Sequence, residues 1–174
     1  MAISNRLKQI AELVAYDTCC DIGTDHGYVP IYLLENNISK KVYALDINEG
    51  PLKKACENIK EKGFMDRCSV RLSDGFENLD ENEAESIVIS GMGGRLVKKI
   101  LSDKMEVTSK VKQLVLSPQG DEDIVKKFLS DNDYIVIREK IVFDEGKYYN
   151  IIDARNFSKY KKFRFKFSGS ILGI

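Results

Sequence analysis

The stretch that decides the fold is Thr18-Cys19-Cys20-Asp21-Ile22-Gly23-Thr24-Asp25-His26-Gly27-Tyr28-Val29-Pro30. Its first five residues form a short, largely apolar run. The next five hold two glycines around three polar residues, and the remainder opens an apolar helical pattern. Strand, tight turn and helix in that order form the unit from which parallel sheets are built. Gly23 and Gly27 admit left-handed backbone and a close approach to a ligand, while the helix that follows offers free N–H groups. A G-x-x-x-G spacing alone is weak, so the surroundings have to carry the argument.

Outward from this stretch the alternation repeats. Ser4 is placed to cap a preceding helix whose Leu7, Ile10, Ala11 and Val14 share one face. The spacing predicts strands over 18–22, 42–47, 68–72, 87–90 and 113–116, with helices over 28–35, 51–62, after Gly91-Met92-Gly93-Gly94, and over 121–129. Pro51 suits a first helical turn, where its missing N–H costs nothing. The Ser73-Asp74-Gly75 turn and an acidic loop over 80–85 separate the third and fourth strands. Two β-rich runs, 134–143 and 147–154, are joined by Asp144-Glu145-Gly146 and predict an antiparallel hairpin. The expectation is five strand-then-helix units and a C-terminal β-hairpin, an α/β fold on a seven-stranded, mostly parallel sheet.

The chain has 174 residues, 43% hydrophobic and 31% charged, enough for one well-packed core. Lys plus Arg and Asp plus Glu both number 27, so no bulk positive field advertises a nucleic-acid binder and any polyanion site must be local. No apolar run approaches the roughly 18 residues of a membrane span, and the N-terminus turns amphipathic at once where a signal peptide would be apolar. A cytoplasmic protein with no membrane partner is expected. Cys19, Cys20, Cys56 and Cys68 show no C-x-x-C spacing, so they are read as buried small hydrophobes, with no metal and no disulfide framework.

The last stretch, 155–174, breaks from the rest and divides the chain into a domain over 1–154 and a basic, aromatic tail. Arg155, Lys159, Lys161, Lys162, Arg164 and Lys166 are interleaved with Phe157, Tyr160, Phe163 and Phe165, with no acid among them. Such a segment can contact RNA through phosphates and stacked bases. A solvated tail or a junction to a further domain are the other readings.

In open α/β sheets ligands bind outside the carboxyl ends of the strands, at the point where strand order reverses. The first turn lacks G-x-G-x-x-G, and Asp25 stands where a pyrophosphate would lie, so a dinucleotide is disfavoured and a cationic ligand suits better. Asp46, ending the second strand, is placed to accept from ribose hydroxyls, which does not by itself separate one nucleoside cofactor from another. Asp74-Gly75 is suited to an adenine amine or is simply a turn. Ser90-Gly91-Met92-Gly93-Gly94 is either a tight strand-to-helix turn over a buried Met92 or a flat slot for a planar base. His26, the only histidine, is a proton shuttle or a structural residue.

Five such units followed by a hairpin resemble the Rossmann-like class I methyltransferases, whose S-adenosylmethionine brings a sulfonium, an ammonium and a carboxylate to the first turn. Asp21 to Pro30, Asn48-Glu49-Gly50-Pro51, Val70-Arg71-Leu72-Ser73-Asp74-Gly75, Ile89-Ser90-Gly91-Met92-Gly93-Gly94 and Leu116-Ser117-Pro118-Gln119 together resemble the bacterial tRNA (adenine-22-N1)-methyltransferase family, over residues 4–152. The resemblance implies methyl transfer from S-adenosylmethionine to N1 of adenine 22 in the D-arm of tRNA, by a cytoplasmic monomer or weak dimer. It implies a cofactor site of Asp21, Gly23, Thr24, Asp25, Asp46, Ile47, Asp74, Gly75 and Gly91. Asp25, His26, Tyr28, Met92 and Gly93 would then orient the base, Tyr28 or Met92 stacking on it. The family carries a helical C-terminal region that grips tRNA, and this sequence stops about where it would begin. Transfer is therefore expected to suffer more than cofactor binding. A class I methyltransferase with another substrate, and a non-catalytic domain that binds the cofactor or RNA, are the competing expectations.

Overall fold

Cys19 and Cys20 lie on opposite faces of one sheet. In a computed structural model describing residues 3–159, strand β1 (Thr18–Ile22) sends Cys19 into one apolar cluster and Cys20 into another, as the period of two along a strand requires. Both are fully buried, so helices cover the sheet on both sides. One face is covered by α1 (Asn5–Ala11), α2 (Tyr28–Glu35) and α3 (Glu49–Glu61), the other by α4 (Gly94–Asp103), α5 (Met105–Thr108) and α6 (Glu122–Asp131). All four cysteines are free thiols; Cys56 is only half-buried, a departure from the expectation.

With β2 (Lys41–Asp46), β3 (Cys68–Leu72), β4 (Ser86–Ser90), β5 (Gln113–Ser117), β6 (Tyr134–Asp144) and β7 (Lys147–Asn156), the sheet runs β3-β2-β1-β4-β5-β7-β6. Neighbours from β3 to β5 are parallel, and β7 is inserted antiparallel between β5 and β6. Strand order reverses between β1 and β4, so their carboxyl ends form the crevice where a ligand belongs. The β6–β7 turn places Glu145 and Gly146 at φ 46° and 80°, the mirror-image turn whose twist matches its strands.

The count of five strand-then-helix units fails at β3, where the turn and acidic loop read from the sequence run straight on to β4, and three further departures accompany it. No helix follows β3. Its place is taken by a loop that buries Phe76, Leu79 and Ala84, because a run of acids leaves too few apolar positions for an inward helical face. The loop is fastened by Arg71, which donates to both carboxylate oxygens of Glu83 at 2.7 and 2.8 Å. Lys104 adds bonds from its Nζ to the carbonyls of Phe76, Glu77 and Leu79. The short α5 was unforeseen, and α3 starts at Glu49, so Pro51 falls at the third helical position, still within the turn that needs no N–H. Arg155 belongs to β7 and not to a tail: its guanidinium is mostly buried and pairs with Asp153 at 3.1 Å. Of the basic segment, residues 160–174 lie outside the described residues.

The end of the sheet opposite the crevice is closed by a buried polar network. Gln113 Nε2 donates to Leu13 O at 2.7 Å and to Asp153 Oδ1 at 2.9 Å, while its Oε1 accepts from Ala15 N and Ser86 Oγ.

Candidate functional site

The turn after β1 is bonded to the end of β2. Gly23 and Thr24 N–H both donate to Leu45 O, at 2.8 and 2.9 Å, and Gly27 N–H donates to Thr24 O. The Asp46 carboxylate accepts Asp25 N–H on Oδ2 and Asn48 N–H on Oδ1, each at 2.9 Å. Asp46 thereby holds two turns in place, and each oxygen retains a lone pair for a further donor. This tie allows Asp25 its left-handed backbone, φ 52°. Gly27 serves packing: a Cβ there would press on Ala55 and Ile59 of α3. A Cβ on Gly23 would fall 2.3 Å from Met92 Cε, so the missing side chain lets Met92 lie over the turn. The turn's N–H groups are thus spent on the protein itself, and no phosphate cradle remains among Gly23, Thr24 and Asp25.

At the carboxyl ends of β1 and β4 a cavity of about 270 Å³ is lined by Asp21, Thr24, Asp25, Tyr28, Met92 and Arg6, with Gly23, Ser90 and Gly91 in its walls. Asp21 is buried, and burial pushes its carboxyl up from 3.8 to about 7. The carboxylates of Asp46 and Asp25 add to the rise, and the Thr24 hydroxyl opposes it without reaching full hydrogen-bond geometry, so that Thr24 Oγ1 is buried with no partner among the described residues. A carboxyl in that condition gains most from a cation beside it.

Arg6 was absent from the expected site. Its guanidinium lies 4.7 Å from the Tyr149 ring centroid, and its Nη1 is buried with no hydrogen-bond partner among the described residues. Its backbone N–H donates to Asp144 Oδ2 at 3.1 Å. Helix α1 therefore docks on the hairpin and carries a cation to the crevice. An unmatched guanidinium N–H is a ready donor to an anion.

Of the expected residues, the structure brings together Asp21, Gly23, Thr24, Asp25, Tyr28, Gly91 and Met92. His26 stands just outside, its Nδ1 3.6 Å from Asp25 Oδ2 and its ring edge-on to Tyr28 at 5.8 Å. Both members of that pair are well exposed, where such contacts contribute little. Gly93 caps α4 outside the lining. Asp46 and Ile47 follow along the same edge, where Ile47 is 58% exposed. Asp74 and Gly75 line another, larger cavity of about 420 Å³, with Glu77, Asp103, Lys104 and Glu106. Its Lys104 is committed to loop carbonyls, and acids line the rest of its polar wall. Ser73 N–H donates to Asp46 O at 2.9 Å, which leaves Asp74 adjacent to the Asp46 edge.

Among the described residues no helix is long and apolar enough to cross a membrane. Nor does any group of three or more His, Cys, Asp or Glu there have the placement to hold a metal.

Residues 3–152 match the family described as Methyltransferase domain. The chain is 32% identical over 155 residues to the tRNA (adenine(22)-N(1))-methyltransferase of Bacillus subtilis strain 168, covering 88% of this chain and 65% of that protein. It superposes on the crystal structure of the B. subtilis M1A22 tRNA methyltransferase TrmK with a TM-score of 0.84 at 33% identity, covering 88% of this chain and 66% of that one. The M. capricolum TrmK structure, a complex with S-adenosyl-homocysteine, matches with a TM-score of 0.81 at 28% identity, over 90% of this chain and 70% of that one. The chain thus spans about two thirds of the length of these relatives.

Proposed function

The chain belongs to the methyltransferase-domain family, and from that premise we propose that it is an S-adenosylmethionine-dependent methyltransferase acting on N1 of adenine 22 in tRNA. The observation that carries this is the cavity that Asp21, Asp25 and Arg6 line together at the carboxyl ends of β1 and β4. A buried carboxyl held near pH 7 and an unpartnered guanidinium N–H match a ligand that is cationic at one end and carries a carboxylate. The residues present therefore fit the cofactor. Asp21 and Asp25 would face its cationic groups and Arg6 its carboxylate. Asp46 would take the ribose hydroxyls on its remaining lone pairs, with Ile47, Asp74 and Gly75 along the adenine and Gly23, Thr24 and Gly91 forming the floor. The turn's committed N–H groups argue against a dinucleotide cofactor.

When bound, S-adenosylmethionine supplies a methyl on a sulfonium that becomes a neutral thioether as the carbon–sulfur bond breaks. Adenine N1 attacks with its own lone pair, so the positive charge passes to the base and no residue has to remove a proton beforehand. Positioning and electrostatics are what the chain contributes. Tyr28 and Met92 offer surfaces to stack the base, Gly93 leaves room beside it, and Asp25, with His26 next to it, offsets the charge that develops on the ring. N1 lies on the Watson–Crick edge, so the base must be turned out of its stack to enter. A cytoplasmic monomer or weak dimer accords with this role, and the basic residues beyond Arg155 would add phosphate contacts.

The test is incubation with S-adenosylmethionine and an unmodified tRNA transcript carrying adenine 22, followed by mass-spectrometric mapping. N1-methyladenosine at position 22, lost on Asp25→Ala, is the expected result. Methylation elsewhere, or full transfer by Asp25→Ala, overturns the assignment.

A further inference from the structure

A second cavity, about 290 Å³, adjoins the first at the end of β5 and is lined in part by Gln119, Glu122, Lys147, Tyr148, Tyr149 and Asn150. Two contacts join them. Gln119 N–H donates to Met92 O at 2.8 Å, and Arg6, a wall of the first cavity, lies over Tyr149, a wall of the second. The Pro118-Gln119 turn is thus the partition between them.

The lining has the chemistry of a nucleotide site. Tyr148 is 77% exposed and packs on Phe143, 57% exposed, at 5.0 Å between centroids. The ring planes are inclined by 52°, so it is the bared Tyr148 ring, braced by Phe143, that offers a face on which a base can stack. Asn150 donates from Nδ2 to Glu139, which leaves its Oδ1 as the acceptor, buried and without a partner among the described residues. A buried acceptor in that condition favours a ligand bearing an N–H. Glu122 is a second acceptor for an amine, and Lys147 provides a cation for a phosphate. A cross-strand aromatic pair can also serve the hairpin alone, but that role needs neither the orphaned amide oxygen nor the shared wall.

We propose that this second cavity is a subsite for an unpaired RNA nucleotide next to the one that enters the first cavity. Its base stacks on Tyr148, its amine meets Asn150 and Glu122, and its phosphate meets Lys147. The inference rests on the reading that the substrate is RNA, and its test separates the two.

Binding of an unmodified tRNA transcript is measured by fluorescence anisotropy in the presence of S-adenosylhomocysteine, alongside steady-state methylation of the same transcript. Tyr148→Leu, which keeps an apolar group against Phe143 but removes the flat ring, should weaken tRNA binding about tenfold, the loss expected for one stacked base. It should raise KM for tRNA with kcat and S-adenosylhomocysteine affinity little changed. Tyr148→Phe restores the affinity. Equal tRNA affinity of the wild type and Tyr148→Leu overturns the subsite, as does loss of affinity in Tyr148→Phe. Wild-type binding that depends on Tyr148 without methylation of adenine 22 sinks the proposed activity and leaves the subsite standing. Absence of wild-type tRNA binding overturns the subsite outright.

Discussion

A methyl group added at Gly94 would lie 2.6 Å from Asp121 O and 2.7 Å from Gly120 O. Both are backbone atoms of the loop between β5 and α6, so no side chain can rotate away. To reach ordinary contact the loop must withdraw by roughly 0.8 Å. It is held by the Gly94 N–H to Gly120 O bond at 3.2 Å and by Gln119 N–H on Met92 O, and Asp121 is already left-handed at φ 52°. Overpacking against such a loop costs about 2 kcal/mol, which lowers Tm by roughly 4–8 °C in a domain of this size. Gly93 is the control: its φ of −61° suits any residue, and an added Cβ finds only Gln119 O, at 4.0 Å. Gly93→Ala should therefore change Tm by less than about 2 °C. Thermal unfolding followed by circular dichroism gives both numbers, and S-adenosylhomocysteine titration of Gly93→Ala shows whether the cofactor half of the site survives. Gly93→Ala is expected to bind the cofactor and lose kcat on tRNA. An unchanged Tm in Gly94→Ala, or an equal loss in Gly93→Ala, would refute the packing argument.

Asp21 has a folded-state pKa of about 7 against an ordinary 3.8. Its neutral form is the one the fold favours, so its stabilising share is complete below pH 4 and is lost as pH rises through 7. Asp21→Asn, always neutral, should leave Tm of the ligand-free protein unchanged at pH 4 and raise it at pH 8, by up to roughly 4 kcal/mol in stability; a uniform shift at both pH values contradicts the burial argument. Arg6→Ala should weaken S-adenosylmethionine binding at least about tenfold, the loss of one charged hydrogen bond. Arg6→Lys should restore little of it, since lysine lacks the planar fork that rests on Tyr149; calorimetric titration decides, and full recovery by lysine denies the bond. Gln113→Leu removes one partner from the buried Asp153, which keeps Arg155, and strips Leu13 O, Ala15 N–H and Ser86 Oγ of theirs; it should cost about 3 kcal/mol with cofactor affinity per folded molecule intact, read by urea unfolding and titration together. Loss of affinity in that variant would mean the two ends of the sheet are coupled.

Most strands were readable because they are short apolar runs closed by turn residues, and the hairpin because a short glycine-containing loop, Asp144-Glu145-Gly146, separates two β-rich runs. The residues lining the crevice were also largely readable: Asp21, Gly23, Thr24, Asp25, Tyr28, Gly91 and Met92 belong to two local motifs that the central strands must bring together. Long-range placement was not. Arg6 reaches the crevice only because α1 docks on a hairpin 138 residues away, a contact with no local signal. The double bond of Asp46 to Asp25 and Asn48, and the role of Gly27 in seating α2 on α3, depend on neighbouring elements in the same way. The missing helix after β3 was foreshadowed by the acids over 80–85, yet strand-helix alternation suggested a unit there. Arg155 was grouped with the basic residues after it because composition does not show that Asp153 would claim its guanidinium.

The most direct measurement is isothermal titration with S-adenosylmethionine near pH 7, in two buffers of different ionisation enthalpy, with NAD as comparison ligand. One S-adenosylmethionine should bind per chain with release of a proton as the cation converts Asp21 to its charged form, the release vanishing in Asp21→Asn. NAD should give no heat of binding. Absence of S-adenosylmethionine binding, or equal binding of NAD, would contradict the assignment of this crevice to a methyl-donor cofactor.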